Sequence, residues 1–429
     1  MNEFKLYTHY LYWILIFSQG LIQLFLLPTA IYKVGIPLLA LVIFSLSLIE
    51  NKNYIFPNLT LFMMFLVVAV ISNRVNSISV FQLIYFIIYA LVSYLYAMSI
   101  INEKNIIIVE KVKKIVIIGF LIQIPVAFIK YLIYGVSEQD LIGTLSTESG
   151  SISSIFPLFA ITILFSYYLF NRKKYYIILI LGYVLFGIIG AKRVIAFYIP
   201  IMLFVTYLIF LIQNEKGKIF QEVKRMIFIG FISILTFIII VKTNKSLNPE
   251  HSYWGSFNLE YVLNYSDDYT TSDKYNKEEM RRKEGLIYFF EMILSGEPVR
   301  LLLGDGAGKL IQTEFIEGDE SMLGFYGVRY GGRMGSVWLV LQVGFIGVFI
   351  YLLFILNLYK IIHKYRRNEP MYLAFPALIV LFIIDSITYS ETFLKFDFLK
   401  GVLFLIYALL MRDIIYSQNL IENDHEASE

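Results

Sequence analysis

Residues 190–213, GAKRVIAFYIPIMLFVTYLIFLIQ, join a short turn with two cations to a long apolar run without charge. The run at 194–213 has the length, about 20 residues, that an α-helix needs to cross the hydrocarbon core of a bilayer. Comparable apolar runs recur along the whole chain. The sequence therefore predicts an all-α, polytopic integral membrane protein.

The composition agrees with this fold class. Of the 429 residues, 58% are apolar and 16% are charged, whereas soluble domains have about 45–50% and 25%. A single core cannot bury that excess, so most of the chain must face lipid or other helices. The net charge of +3 gives no support for nucleic-acid binding. Cysteine is absent and the four histidines lack metal-ligand spacing, so we expect no metal and no cofactor.

The apolar runs predict about 12 membrane-spanning helices. They lie near 10–31, 35–50, 57–72, 78–100, 114–135, 152–171, 175–190, 194–213, 226–242, 336–358, 371–388 and 397–412. This divides the chain into four parts. They are transmembrane helices in 1–241, a large polar loop at 242–335 between the ninth and tenth spans, further helices in 336–412, and a polar tail at 413–429.

Lysines and arginines concentrate in alternate connections between these spans. If the N-terminus is cytoplasmic, the inside connections hold the clusters Lys111–Lys114, Arg172–Lys174 and Lys364–Arg367, while the short outside ones hold few cations. Cytoplasmic loops normally carry such an excess. The pattern therefore predicts that both termini are cytoplasmic and that the 242–335 loop is outside.

The turn that precedes the 194–213 span is the first candidate site. Lys192 and Arg193 lie in a tight outside hairpin, against the general charge bias. An arginine there suits a phosphate or pyrophosphate, because its donors match bidentate oxygen geometry. The alternative is that both cations only contact lipid headgroups.

The large loop contains two more candidates. Residues 276–295 have helical apolar spacing, and Arg281 or Arg282 either pairs within that helix or reaches an anionic lipid. The turn LGDGAGK at 303–309 lacks the spacing of a nucleotide phosphate loop. Gly304 and Gly306 are predicted to let the backbone approach a ligand, although a plain turn is the alternative.

The end of the loop carries a second glycine-rich stretch, YGVRYGGRMG at 326–335. Its amides are predicted to form an anion-binding nest with Arg329 and Arg333 as charge partners. Tyr330 is a candidate for stacking on a sugar ring, although tyrosine is also common at membrane interfaces.

Two carboxylates complete the set of candidates. Asp385 lies towards the outer end of a span, and Glu391 follows in the next short loop. An acid at that depth is costly unless it is paired or functional. Each is therefore either a catalytic base or the partner of a loop arginine.

In this order, the motifs resemble those of the O-antigen polymerase family, also called oligosaccharide repeat-unit polymerases, and the related O-antigen ligases. The resembling elements are Gly190–Arg193 entering a span, the arginines 281–282 before an apolar run, and the Leu303–Gly308 turn. Gly344-Phe345-Ile346-Gly347 is similar to the Gly-Ile-Ile-Gly pattern of the family. Ligases usually have a histidine before the next span, and residues 331–338 have none, which favours a polymerase.

This resemblance implies a bacterial cytoplasmic-membrane glycosyltransferase that joins undecaprenyl-pyrophosphate-linked oligosaccharide repeats into O-antigen or capsular-type polysaccharide. Donor and acceptor are both lipid-linked, and partner proteins for chain-length control and carrier flipping are implied as well. Arg193, Arg329 and Arg333 would stabilise the leaving pyrophosphate, and Asp385 or Glu391 would accept the proton of the acceptor hydroxyl. The alternatives are a lipid-linked-oligosaccharide flippase or transporter, a ligase, and a non-enzymatic receptor or scaffold.

Overall fold

The structure of the protein is a computed structural model. It describes residues 2–51, 54–134, 143–145, 152–190, 194–213, 219–252, 254–270, 287, 290–291, 297–310, 335–388 and 398–426. The described ranges are mainly helix and contain no strand. The prediction of an all-α protein is therefore confirmed. The candidates Lys192, Arg193, Arg281, Arg282, Arg329, Tyr330, Arg333 and Glu391 lie outside these ranges.

Short connections join most of the helices, and the longer ones are residues 135–151 and those between residues 243 and 335. The helices before residue 243 are α1 Asn2–Phe17, α2 Gln19–Leu24, α3 Ala30–Glu50, α4 Leu59–Val75, α5 Val80–Ile101, α6 Ile106–Tyr134, α7 Ile152–Asn171, α8 Lys174–Ile189, α9 Val194–Gln213 and α10 Ile219–Thr243. Those after it are α11 Leu259–Thr270, α12 Pro298–Leu303, α13 Gly335–Lys364, α14 Pro370–Thr388 and α15 Phe398–Glu426.

Six of these helices are long and apolar enough to cross a membrane. They are Ala30–Glu50, Val80–Ile101, Ile106–Ile133, Val194–Gln213, Gly335–Lys364 and Pro370–Ile387. Four shorter apolar helices are Leu59–Val75, Ile155–Asn171, Lys174–Ile189 and Ile227–Thr243. These properties fit a membrane protein, and the count of about 12 spans stays a prediction.

One end of the helical bundle, which we call the Lys5 end, is held together by charged groups. Buried Lys5 at the start of α1 bonds the carboxylate of Glu50, where α3 ends, and lies 2.6 Å from that of Glu103, just after α5. Arg412 of α15 donates through Nε to the Glu103 carbonyl at 3.1 Å. Because each charge has a partner, these groups tolerate burial.

At the opposite end, which we call the Gly304 end, neutral polar groups join the helices. Asn76, directly after α4, donates to the Gly304 carbonyl at 3.1 Å, and Ser72 of α4 donates to the Gln342 carbonyl of α13 at 2.7 Å. Helices α4 and α5 thus run between the two ends in opposite directions. This is the alternating path that the charge pattern predicts for this part of the chain.

The first predicted span, 10–31, differs from the structure. Helix α1 ends at Phe17, and the chain continues as the short α2. The hydroxyl of Thr144 donates to the Phe17 carbonyl at 2.5 Å, and the Gly20 amide donates to the Thr144 carbonyl at 2.9 Å. A segment distant in sequence therefore takes over backbone groups that a continuous helix would have paired internally.

The predicted polar tail 413–429 is helical as far as Glu426. Asp413 accepts from Arg367 at 2.8 Å and from the Tyr372 hydroxyl at 3.0 Å, and Arg367 also bonds Ser417. These contacts tie the first turns after residue 412 to the connection between α13 and α14. They stabilise helix where composition alone indicates a tail.

Candidate functional site

The glycine turn, residues Leu303–Gly308, lies between the end of α4 and the middle of α13. Gly304, Gly306 and Gly308 all have positive φ, at 75°, 116° and 95°. Gly304 combines this with ψ −167°, a region of the backbone map that is almost restricted to glycine. The spacing of the glycines is therefore required by the backbone conformation of this turn.

The turn packs directly on a break in α13. Gly344 has φ 63° and ψ −173° inside that helix, which interrupts the helical hydrogen-bond pattern. A Cβ on Gly304 would lie 2.7 Å from the Gly344 nitrogen and the Leu341 carbonyl, and one on Gly344 would overlap the Leu302 carbonyl. Two backbones approach each other here with no space for side chains.

Polar groups of the interrupted helix α13 accept hydrogen bonds from the turn. The Asp305 amide donates to the Leu341 carbonyl at 2.6 Å. The Gly308 amide donates to the side-chain oxygen of Gln342 at 2.7 Å, and Gln342 is completely buried. Helix α13 is thus broken at a place where the turn replaces part of the lost bonding.

Side chains at the end of α4 hold the carbonyls of the turn. The Leu303 carbonyl lies against the Ser72 hydroxyl, whose single proton it shares with the Gln342 carbonyl, and Asn73 donates to the Ala307 carbonyl at 2.8 Å. Both side chains are fully buried. Buried hydrogen bonds of this kind are costly to break, because each leaves a polar group without water. The turn is therefore fixed from both sides.

An ion pair closes the same turn. Arg300 of α12 faces Asp305 with two parallel contacts, Nε to Oδ1 at 2.8 Å and Nη2 to Oδ2 at 3.1 Å. The pair is partly exposed, with 28% of the arginine side chain and 13% of the aspartate side chain accessible. This bidentate geometry gives orientation as well as attraction.

These contacts show what Gly304 and Gly306 do within the protein. Gly304 donates its amide to the Arg300 carbonyl at 2.7 Å and accepts from Asn76, while a Cβ on Gly306 would overlap the Ile78 side chain. The close backbone approach expected for a ligand is made to other helices of the chain. Binding of a substrate by this turn stays a prediction. The position of the turn determines where the following segment, 311–334, begins.

The carboxylate candidate Asp385 lies in the last turns of α14 and is fully buried. Its neighbour Ser386 is buried as well and donates to the Phe382 carbonyl at 2.7 Å. Two residues later, the Ile387 carbonyl accepts from Ser336 at 3.4 Å, so the end of α14 meets the start of α13. Asp385 is thus placed at the Gly304 end, beside the start of α13.

Helix α9, which begins one residue after Arg193 in the sequence, packs antiparallel against α14. The Gln213 side chain at its end donates to the Tyr372 carbonyl near the start of α14 at 3.2 Å. Starting from this contact and going back along α9 and forward along α14 at about 1.5 Å per residue, Val194 and Asp385 reach the same end, with Asp385 about 9 Å deeper. The start of α9 and the Asp385 carboxylate therefore share one end of one helix pair.

Sequence reasoning did not single out Ser72, Asn73, Arg300 or Gln342. A glutamine in the otherwise apolar run of α13 was a usable signal, because a polar group inside a span generally has a partner or a role. Arg300 gave no such signal, since an arginine five residues before an aspartate meets it only if a turn reverses the chain. Ser72 and Asn73 gave no signal either, because their partners lie more than 200 residues away in the sequence.

Among the described residues, no three His, Asp or Glu side chains come together to hold a metal ion. No family model matches this chain, and no curated protein matches it at a significant level.

Proposed function

We propose that this protein is a membrane glycosyltransferase that polymerises oligosaccharide repeats carried on a lipid pyrophosphate. It crosses the bacterial cytoplasmic membrane about 12 times, with both termini cytoplasmic and the loop 242–335 outside. The proposal starts from the resemblance of the motifs at 190–193, 281–308 and 344–347 to the O-antigen polymerase family. Donor and acceptor are both undecaprenyl-pyrophosphate-linked, and chain-length and flipping proteins are expected partners.

One structural observation carries the proposal. The start of α9 and Asp385 of α14 share the Gly304 end of the bundle, where the glycine turn also lies. In the sequence, Arg193 directly precedes α9, the helix that packs against the one carrying the buried Asp385. A pyrophosphate-linked sugar held at the membrane surface needs both charges.

The proposed reaction divides the work between these groups. A hydroxyl oxygen of the acceptor sugar attacks the anomeric carbon of the growing chain, and the bond from that carbon to the pyrophosphate oxygen breaks. Arg193, with Arg329 or Arg333, stabilises the negative charge on the leaving lipid pyrophosphate. Asp385 or Glu391 takes the proton from the attacking hydroxyl. Lys192, Arg281, Arg282 and Tyr330 are proposed to bind the substrates.

The test is an electrophoretic profile of surface polysaccharide from a strain that lacks this protein, complemented with the wild type, Arg193→Ala or Arg74→Ala. Arg74 is an exposed cation at the end of α4 and serves as the matched control. We expect the wild type and Arg74→Ala to restore the polymer ladder, and Arg193→Ala to leave single-repeat material at an unchanged protein level.

A normal ladder from Arg193→Ala would refute the assigned role of this arginine. An unchanged ladder in the deletion strain would refute the polymerase itself. If the deletion strain still makes an O-antigen ladder but keeps it on the lipid carrier, without transfer to the final acceptor, the protein would instead be a ligase.

A second candidate, a flippase or transporter for lipid-linked oligosaccharides, is favoured by one observation. Buried cations lie inside the helices: Lys400 donates to the Tyr89 carbonyl at 2.5 Å, and Lys130 donates to the Gly143 carbonyl at 2.6 Å. Ionisable groups at such depth are common along transport pathways. Loss of all exported repeats in the deletion strain, instead of accumulation of single repeats, would favour this alternative.

A further inference from the structure

The connection after α10 forms a compact loop around one buried side chain. Asn248 is fully buried and donates through Nδ2 to the carbonyls of Ser252 at 2.8 Å and Asn244 at 3.0 Å. The Gly255 amide returns to the Lys242 carbonyl at 3.0 Å. A Cβ on Gly255 would overlap the Asn248 side chain. The loop therefore has a defined shape.

This loop presents a tryptophan to its surroundings. Trp254 has φ 61°, in the left-handed region that side-chain-bearing residues rarely adopt, and 67% of its surface is exposed. The Nζ of Lys242 lies 6.0 Å from the centre of its indole ring. The loop thus adopts an unfavourable backbone conformation at a residue whose large apolar side chain points outward.

The chain then returns along the side of α10. The ring of Phe257 lies 6.0 Å from that of Phe237, edge to face. Phe237 lies about 9 Å before the end of α10 at Thr243, at 1.5 Å per residue. Phe257 is therefore level with the body of an apolar helix and well below its end.

Exposed apolar side chains continue on both sides of this contact. Leu259 and Leu263, one helical turn apart on α11, are 49% and 55% exposed. The outer face of α10 is exposed and apolar at Ile227, Phe228, Phe231, Ile234 and Leu235. Exposed apolar side chains thus lie on both sides of the Phe257–Phe237 contact, on α10 and on α11.

The charges around this surface nearly balance. The cations are Lys242 and Lys245, the acids are Glu250, Glu260 and Asp267, and His251 lies beside them. His251 contacts the Lys245 carbonyl at 3.1 Å and the ring edge of Tyr261. A surface with no cationic excess has no reason to select anionic lipid.

We infer that residues 254–263 form a membrane anchor beside α10, with Trp254, Phe257, Leu259 and Leu263 inserted at the boundary of headgroups and acyl chains. Tryptophan is enriched at that level because its ring is apolar and its N–H is polar. Because burial of these apolar side chains drives the contact, we expect the anchor to insert into phosphatidylcholine without anionic lipid. The inference needs α10 to span the membrane and is independent of the proposed reaction.

The test uses single cysteines, since the chain has none of its own. Trp254→Cys, Leu263→Cys, Phe231→Cys and Glu250→Cys are each labelled with a nitroxide in the full-length protein in phosphatidylcholine vesicles. Collisions with oxygen, which concentrates in lipid, are compared with collisions with a water-soluble nickel chelate. Phe231, on the exposed face of α10, is the lipid reference, and the exposed Glu250 is the water reference.

The measured quantity is the ratio of the oxygen collision rate to the nickel-chelate collision rate. We expect this ratio at positions 254 and 263 to equal the ratio at 231 and to be several-fold above the ratio at 250. Ratios equal to that at 250 would overturn the anchor, as would a lipid-like ratio that needs phosphatidylglycerol. Fluorescence gives a second measurement without labels, because Trp13 and Trp338 are buried. Brominated phosphatidylcholine should strongly quench the tryptophan fluorescence of the wild type, and most of that quenching should be absent in the Trp254→Phe variant. Equal quenching of both proteins would also refute the inference.

Discussion

Replacing Gly344 by alanine tests the contact between the glycine turn and α13. Gly344 has φ 63° and ψ −173°, a conformation that costs a residue with a side chain about 1–3 kcal/mol. The new methyl group would also overlap the Leu302 carbonyl, which is backbone and cannot rotate away. Overpacking of this kind costs about 1–3 kcal/mol. We therefore expect Gly344→Ala to lower the free energy of unfolding by about 2–6 kcal/mol.

The matched control is Gly230→Ala in α10. No atom lies within 4 Å of a Cβ at Gly230, so the same substitution meets open space there. Alanine is also the better helix former, by up to about 1 kcal/mol. We expect this variant to be as stable as the wild type or slightly more stable.

The assay is the temperature at which half of the detergent-solubilised protein is lost from the monodisperse peak in size-exclusion chromatography. At about 2 °C per kcal/mol for a large chain, Gly344→Ala should lower this temperature by roughly 4–12 °C. Equal temperatures for Gly344→Ala and Gly230→Ala would refute the close approach of the two backbones. A double variant with Gly304→Ala should lose less than the sum of the single losses, because both substitutions break one contact.

Three further outcomes are expected. Gln342→Leu should destabilise the protein by about 1–3 kcal/mol in the same assay, because the Gly308 amide loses its acceptor; an unchanged midpoint would show that this bond is absent. Lys5→Met should cost about 3–5 kcal/mol, since it leaves buried carboxylates without their cation, and stability at or above the wild-type level would contradict this. In intact cells, a membrane-impermeant maleimide should label Ser77→Cys, whereas Lys104→Cys should react only after permeabilisation; equal labelling of both would refute the alternating path.

Local sequence determined most of the helices. The run at 194–213 is helical over its whole predicted length, because about 20 apolar residues in lipid have no other way to pair their backbone groups. The short connection at 172–173, between α7 and α8, followed from its charged residues in the same local way. Such features depend on neighbours in sequence, so a reading of the chain in short windows finds them.

Tertiary structure alone decided the parts that bear on the candidate site. The end of α1 at Phe17 depends on Thr144, the break of α13 at Gly344 depends on the glycine turn, and the turn itself depends on Ser72 of a distant helix. The arrangement of α9 beside Asp385 also needs the packed bundle. Sequence determined which segments prefer lipid and helix, because that is a local balance of apolar burial and backbone pairing. Only the assembled bundle decided which polar groups meet, because their partners lie far apart along the chain.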